Sequence, residues 1–139
     1  MTFDVRWVEE ADWPEVEEWV KKAELFPDWF PIRNPFSLIA EREGVLAGAA
    51  SLTWGPWMYG AISWIVRNQG RVGRGAGRFL VKAAEVVFQE AGMQTMCGIT
   101  RADNSRMLAF ERSVPGVLEC PVDFRIFWKR LQGGDPCPQ

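Results

Sequence analysis

The stretch from Trp64 to Ala91 restricts the fold more than any other part of the chain, because an apolar run, four closely spaced glycines and an amphipathic repeat follow one another without a break. Ile62 to Val66 suits a buried strand. Gly70, Gly73, Gly75 and Gly77 then permit a turn that residues carrying a Cβ could enter only with strain. Phe79, Leu80, Ala83, Ala84, Val87 and Phe88 recur at helical spacing, which predicts a helix that starts where the glycines end and lays one face on a sheet.

A helix N-terminus that follows glycine-rich backbone offers free N–H groups and the positive end of a dipole, and both favour phosphate oxygens. Arg67, Arg71, Arg74, Arg78 and Lys82 surround the turn with no acidic residue among them. The expected guest is an anion carrying phosphate. A nucleoside-triphosphate loop would end in Gly-Lys-Ser/Thr, whereas Arg78-Phe79 follows here, and the dinucleotide fingerprint would need a glycine where Arg78 stands. Both of those readings fail on spacing.

The run Val72-Gly-Arg-Gly-Ala-Gly-Arg-Phe-Leu80 resembles the pyrophosphate-binding turn of the GNAT superfamily, the acyl-CoA-dependent N-acyltransferases. Gly75 and Gly77 occupy the two glycine positions of the pattern Gln/Arg-x-x-Gly-x-Gly/Ala, with Val72 at its first position. Asn104, Arg106 and Pro115-Gly116-Val117 resemble in part a second signature, in which an Asn opens a late helix. The resemblance implies an α+β domain over residues 1–132, with a mixed, mostly antiparallel sheet of six to seven strands flanked by helices. Strands four and five would splay apart, and residues 133–139 would be a disordered tail. It also implies acetyl-CoA or another acyl-CoA as cosubstrate. Arg71, Val72, Gly73, Arg74, Gly75, Ala76, Gly77 and Arg78 would take the pyrophosphate, Ile65, Val66 and Arg67 would pair with the pantetheine arm, and Asn104 would hold its other side.

Composition narrows the chemistry. The chain has no histidine, which removes Ser-His and Cys-His nucleophilic pairs and most zinc-hydrolase arrangements. Cys97, Cys120 and Cys137 are odd in number and lack Cys-x-x-Cys spacing, so no metal site or disulfide framework is expected, and Cys97 reads as a buried thiol in a strand. A net charge of -2 gives no footprint for nucleic acid. No apolar run approaches the ~20 residues of a membrane span and no signal-peptide layout opens the sequence, so a cytoplasmic location is expected.

Taken in order, Phe3, Val5 and Trp7 alternate as a first strand over about residues 2–8. Asp12 with Glu15 predicts a capping box, and a helix to about Glu24 follows with Trp13, Val16, Trp19 and Val20 on one face. Leu25 to Pro35, rich in aromatic residues and proline, predicts short turns packed over apolar surface. Residues 36–41 and 45–53 read as a hairpin, 58–66 as the fourth strand and 93–100 as the fifth. A short helix is expected over 103–112, and a last hairpin from 117–119 and 123–131, whose aromatic residues could pair with a second copy. Monomer and homodimer both stay open.

Acyl transfer to an amine needs a neutral nucleophile and a proton for the leaving thiolate. Many GNAT members place a Tyr seven residues after the Asn for that proton, and here the position is Glu111. Glu111 and Ser113 are the catalytic candidates, with Cys97 a further donor. No carboxylate stands on the fourth or fifth strand, so water or a remote acid such as Glu24 or Asp28 would serve as base. Trp29, Trp54 and Trp57 fall in expected loops and would line the acceptor site. The reading is an N-acyltransferase acting by direct transfer in a ternary complex on a small-molecule or peptide amine. The rival is a CoA-binding or regulatory module of the same fold without catalysis.

Overall fold

The computed structural model describes residues 2–55, 58–100 and 103–119. Contacts divide the chain into two units, Met1–Asn104 and Ser105–Gln139. The first unit holds β1 (Asp4–Trp7), α1 (Trp13–Lys22), β2 (Ser37–Arg42), β3 (Val45–Gly55), β4 (Tyr59–Arg67), α2 (Ala76–Glu90) and β5 (Thr95–Gly98). The second holds α3 (Ser105–Arg112). Within it, Arg112 makes a bidentate pair with Glu119 at 2.7 and 2.8 Å.

The strands form one mixed sheet in the order β1-β2-β3-β4-β5, antiparallel until β5 joins β4 in parallel. The six to seven strands expected from the sequence are thus five among the described residues. Residues 117–119, expected to begin a last hairpin, adopt no strand, and 123–131 lie outside the described residues.

Each face of the sheet carries one helix. On one side Ala76, Leu80, Ala84 and Phe88 of α2, spaced four apart, pack on Leu38, Ala40, Ala47, Ala50 and Leu52. On the other, Trp13, Val16 and Val20 of α1 pack on Ile39, Ala49, Trp64 and Val66. The small residues of β3 let both helices approach. A Cβ at Gly48 would crowd Leu80 and Ala76 at 3.1 and 3.2 Å, and one at Gly60 would collide with the Phe88 ring.

Two register shifts correct the alternation of faces. Between Ser51 and Leu52 the β3–β4 ladder moves by one residue, leaving Ser63 as the extra residue on β4. Ile62 and Ile65 consequently face α2 while Trp64 and Val66 face α1, an arrangement that strict period-two alternation would forbid. The second shift, between Ala40 and Glu41, leaves Ala47 unmatched on β3.

The start of α1 also departs from expectation. Asp12 does not cap the helix through Glu15; its carboxylate accepts two hydrogen bonds from the Arg6 guanidinium, at 2.8 and 2.9 Å, and one from the Glu9 N–H at 2.7 Å. Arg6 is a stronger partner than a single backbone donor, so the buried acid turns toward β1. Cys97, expected to be buried, is exposed on β5, an edge strand of the described sheet.

Hydrogen bonds from Arg6, aided by that from Glu9, hold the Asp12 carboxyl below the usual carboxylate range against the opposing effect of burial. A lowered folded-state pKa means that this stabilisation is complete above the unfolded value of about 3.9 and is lost as pH falls through the folded one. Asp12→Asn should therefore cost about 1–3 kcal/mol at pH 7 in a denaturant titration. The gap to the wild type should narrow below about pH 4, and a gap unchanged at acid pH would contradict the assignment.

Candidate functional site

Strand β4 outruns its neighbour. Its pairing with β5 covers Tyr59 to Ile62 against Thr95 to Gly98 and stops there, whereas its pairing with β3 continues to Arg67 opposite Gly48. From Ser63 to Arg67 one edge of β4 therefore has no strand partner among the described residues, and the bulged Ser63 marks where β5 leaves. Bulges commonly end pairing in this way beside functional sites. Ile65, Val66 and Arg67, expected to meet a pantetheine arm, all lie on this open length. The Ser63 hydroxyl donates to Thr53 Oγ1 at 3.3 Å on the exposed surface.

The chain leaves β4 through a turn tied to the sheet. The Asn68 N–H donates to the Ala47 carbonyl at 2.9 Å and its side-chain amide to the Leu46 carbonyl at 3.2 Å, while its Oδ1 accepts from the Gly70 N–H at 2.7 Å. Ala47, the unmatched residue of β3, thus receives the chain as it comes off β4. A single 3-10 turn follows over Arg71–Gly73, in which the Gly73 and Arg74 N–H groups are used at 3.2 Å each by Gly70 and Arg71 carbonyls. A Cβ on Gly73 would collide with the Asn68 carbonyl oxygen, so this position tolerates glycine alone.

Gly75 then takes the left-handed conformation, φ +85°, as the N-cap of α2, with no side chain capping the helix. The helix begins at Ala76, before the glycines end, and Gly77 lies inside its first turn. No acidic residue stands in that turn. Ala76 is buried against the sheet, while Arg71, Arg74 and Arg78 are exposed around the turn and Val72 packs inward. Val72 therefore contributes packing at the position where the family pattern has Gln or Arg. The N-terminal N–H groups of α2, an uncapped dipole end and these arginines converge on one end of the sheet, the end where β4 is open.

Other residues singled out in the sequence fall in different places. Asn104 directly precedes α3 and is half-buried. Glu111 is half-buried on α3, and the exposed Ser113 donates its hydroxyl to the Phe110 carbonyl at 2.5 Å. Trp54 pairs with Gly60 at the far end of the β3–β4 ladder from the glycine turn, its ring set edge-on to Phe36 and Phe88 at 5.2 and 5.5 Å. Trp29 is half-buried, with Nε1 buried and lacking a hydrogen-bond partner. Trp57 lies outside the described residues.

Beside the end of α1 is a cavity of about 270 Å³ lined by Val20, Phe26 and Ile32 together with the exposed Lys21, Glu24 and Asp28. Val20 and Ile32 of its wall belong to the buried cluster on the α1 side of the sheet. Sequence reasoning named both acids but had no signal for the cavity, since its walls meet through tertiary packing. It also missed Arg42, whose guanidinium stacks on the Phe3 ring 4.1 Å from its centroid. Among the described residues no cluster of three or more potential metal ligands occurs, and no helix is long and apolar enough to cross a membrane.

Solved structures share this architecture. A putative acetyltransferase from Agrobacterium tumefaciens str. C58 superposes with a TM-score of 0.70 at 21% identity, over 90% of this chain and 99% of that one. A ribosomal-protein-alanine N-acetyltransferase from Brucella melitensis biovar Abortus 2308 gives 0.71 at 13%, over 91% and 100%. AAC(6')-Iy in complex with a bisubstrate analog, CoA-S-monomethyl-acetylneamine, gives 0.68 at 16%, over 94% and 99%. At these identities the likeness is one of fold. No curated protein matches the sequence. The model of the acetyltransferase (GNAT) family matches residues 3–112, which takes in the sheet, the glycine turn and α3, and the chain belongs to that family.

Proposed function

We propose that this protein is an acyl-CoA-dependent N-acyltransferase that binds the pyrophosphate of its cosubstrate at the glycine turn and transfers the acyl group directly to an amine. The observation that carries the reading is the conjunction of an uncapped helix N-terminus, a left-handed Gly75 and an open length of β4 at one end of the sheet. The residues fit such a ligand. Backbone N–H groups of the first turn of α2 would take phosphate oxygens without interference from a side chain at Gly75 or an acid nearby, and the surrounding arginines would supply charge.

The open edge of β4 offers backbone groups from Ser63 to Arg67 to an extended pantetheine arm, as a missing fifth strand would. N–H groups there would also polarise the thioester carbonyl as charge builds on its oxygen. The acceptor must be a neutral amine when it attacks the thioester. Glu24 and Asp28, which line the cavity beside the end of α1, would suit both attraction of a cationic amine and acceptance of its proton through water. AAC(6')-Iy, which shares the fold, is named an aminoglycoside N-acetyltransferase, and a polycationic acceptor of that kind is compatible with these acids.

A second reading, CoA binding without transfer, is favoured by one observation. Glu111 stands where a tyrosine would protonate the leaving thiolate, and the chain's only tyrosine, Tyr59, begins β4 at the opposite end from Arg67. Release of free CoA thiol from acetyl-CoA in the presence of a panel of amines separates the two readings. Amine-dependent release above the rate without amine establishes transfer, and its absence alongside intact binding establishes the module.

Two outcomes test the site. In calorimetric titration, acetyl-CoA and CoA should bind at micromolar concentration and ADP far more weakly; equal affinity for ADP would remove the pantetheine groove from the account. Gly75→Val, which forces a β-branched residue into the left-handed region, should weaken CoA binding more than about tenfold. Gly75→Ala should lie between it and the wild type, and unchanged affinity in both would show that the turn does not bind phosphate.

A further inference from the structure

Arg42 is the last residue of β2, and the antiparallel register places it at the same end of the sheet as the C-terminus of β4 and the glycine turn. Its guanidinium lies over the Phe3 ring, 4.1 Å from the centroid, and the same ring meets Phe79 of α2 edge-on at 5.0 Å. Phe3 also reaches to within 3.8 Å of where a Cβ on Gly75 would sit. These contacts in series put the guanidinium within about 10 Å of the N-cap of α2, roughly one Debye length at 0.1 M salt.

Among the described residues the arginine is also uncommitted. Its neighbour Glu41 is held by Arg6 at 3.4 Å, whereas Arg42 has no salt bridge and its Nε is buried without a hydrogen-bond partner among them. Stacking on an aromatic face fixes the plane of a guanidinium while leaving its outer N–H groups to bind. A planar donor held in place, without an ion pair among the described residues and within about 10 Å of a helix N-terminus, is suited to phosphate, to which arginine donates bidentately. Arg71, Arg74 and Arg78, by contrast, are exposed on the turn itself.

We propose that Arg42, held on Phe3, is a phosphate-binding residue for the nucleotide end of the acyl-CoA, a determinant supplied by β2 in addition to the glycine turn. The proposal rests on the reading of the glycine turn as a CoA site. Phosphate chemistry has two sources in that ligand, the pyrophosphate and the ribose 3'-phosphate, and comparison of CoA with dephospho-CoA tells them apart.

The experiment is calorimetric titration of the wild type, Arg42→Gln, Arg42→Ala and Arg42→Lys with CoA and dephospho-CoA at two salt concentrations, each variant checked by thermal unfolding. Arg42→Gln keeps most of the side-chain bulk should Arg42→Ala fail to fold. Loss of the charge should weaken CoA binding about tenfold and reduce its salt dependence, with Arg42→Lys intermediate. A loss confined to CoA assigns the 3'-phosphate, and an equal loss for both ligands assigns the pyrophosphate; either supports the proposal. Wild-type affinity and salt dependence in folded Arg42→Gln overturns it. Failure of the wild type itself to bind CoA overturns instead the reading on which it rests.

Discussion

The close seating of α2 on the sheet is the constraint from which the rest follows. The helix can lie that near only because Gly48 and Gly60 present no side chain, one opposite Ala76 and Leu80 and the other opposite Phe88. A helix of 15 residues anchored at both ends by such contacts has little freedom to slide. Its N-terminus is thereby fixed against the end of β4, where the chain has just left the sheet. A site made of backbone groups depends on this, because backbone donors cannot adjust rotamers to meet a ligand and must be placed by packing.

The second requirement is an open strand edge, which a sheet ordinarily avoids. β4 meets it by an asymmetry: β3 stays paired along its whole length while β5 leaves after Ile62. The bulge at Ser63 reconciles the two. It shifts the faces so that Trp64 and Val66 bury toward α1 and Ile65 toward α2, and the strand stays packed from both sides although one edge lacks a strand partner among the described residues. The edge is thus left unpaired by them without the strand being loose. Arg6 and Asp12 hold the opposite side of the sheet, joining β1 to the start of α1, so the α1 layer that backs β4 is fixed as well.

Much of this was legible in the sequence, for identifiable reasons. The strand, the glycine turn and the helix could be read because local chemistry decides them: glycine alone enters the left-handed region without cost, and the stripe of α2 repeats on one helical face. What could not be read depends on register or on distant contacts. Strict alternation puts Ile62 and Trp64 on one face, and only the paired strand shows that Ser63 is extra. Asp12 looked like a helix cap because Glu15 follows it, but Arg6 competes for the carboxylate with two charged hydrogen bonds. Cys97 looked buried because strands of its composition usually are, yet it lies on an edge strand.

Arg42 illustrates the same limit at the site. In sequence it belongs to a hairpin, Glu-Arg-Glu-Gly, and its charge is balanced there by acids on both sides. In the fold Glu41 is claimed by Arg6 from β1, and the Phe3 ring, from a segment nearly forty residues earlier, takes up the guanidinium. Local charge balance therefore says nothing of local field. An arginine whose neighbour Glu41 is engaged elsewhere, and which is fixed by an aromatic face, would on the proposed reading be a directed donor at the end of the sheet that carries the glycine turn. On that reading the polar content of the site would depend on the pairings on β1 and β2 as well as on the glycine turn.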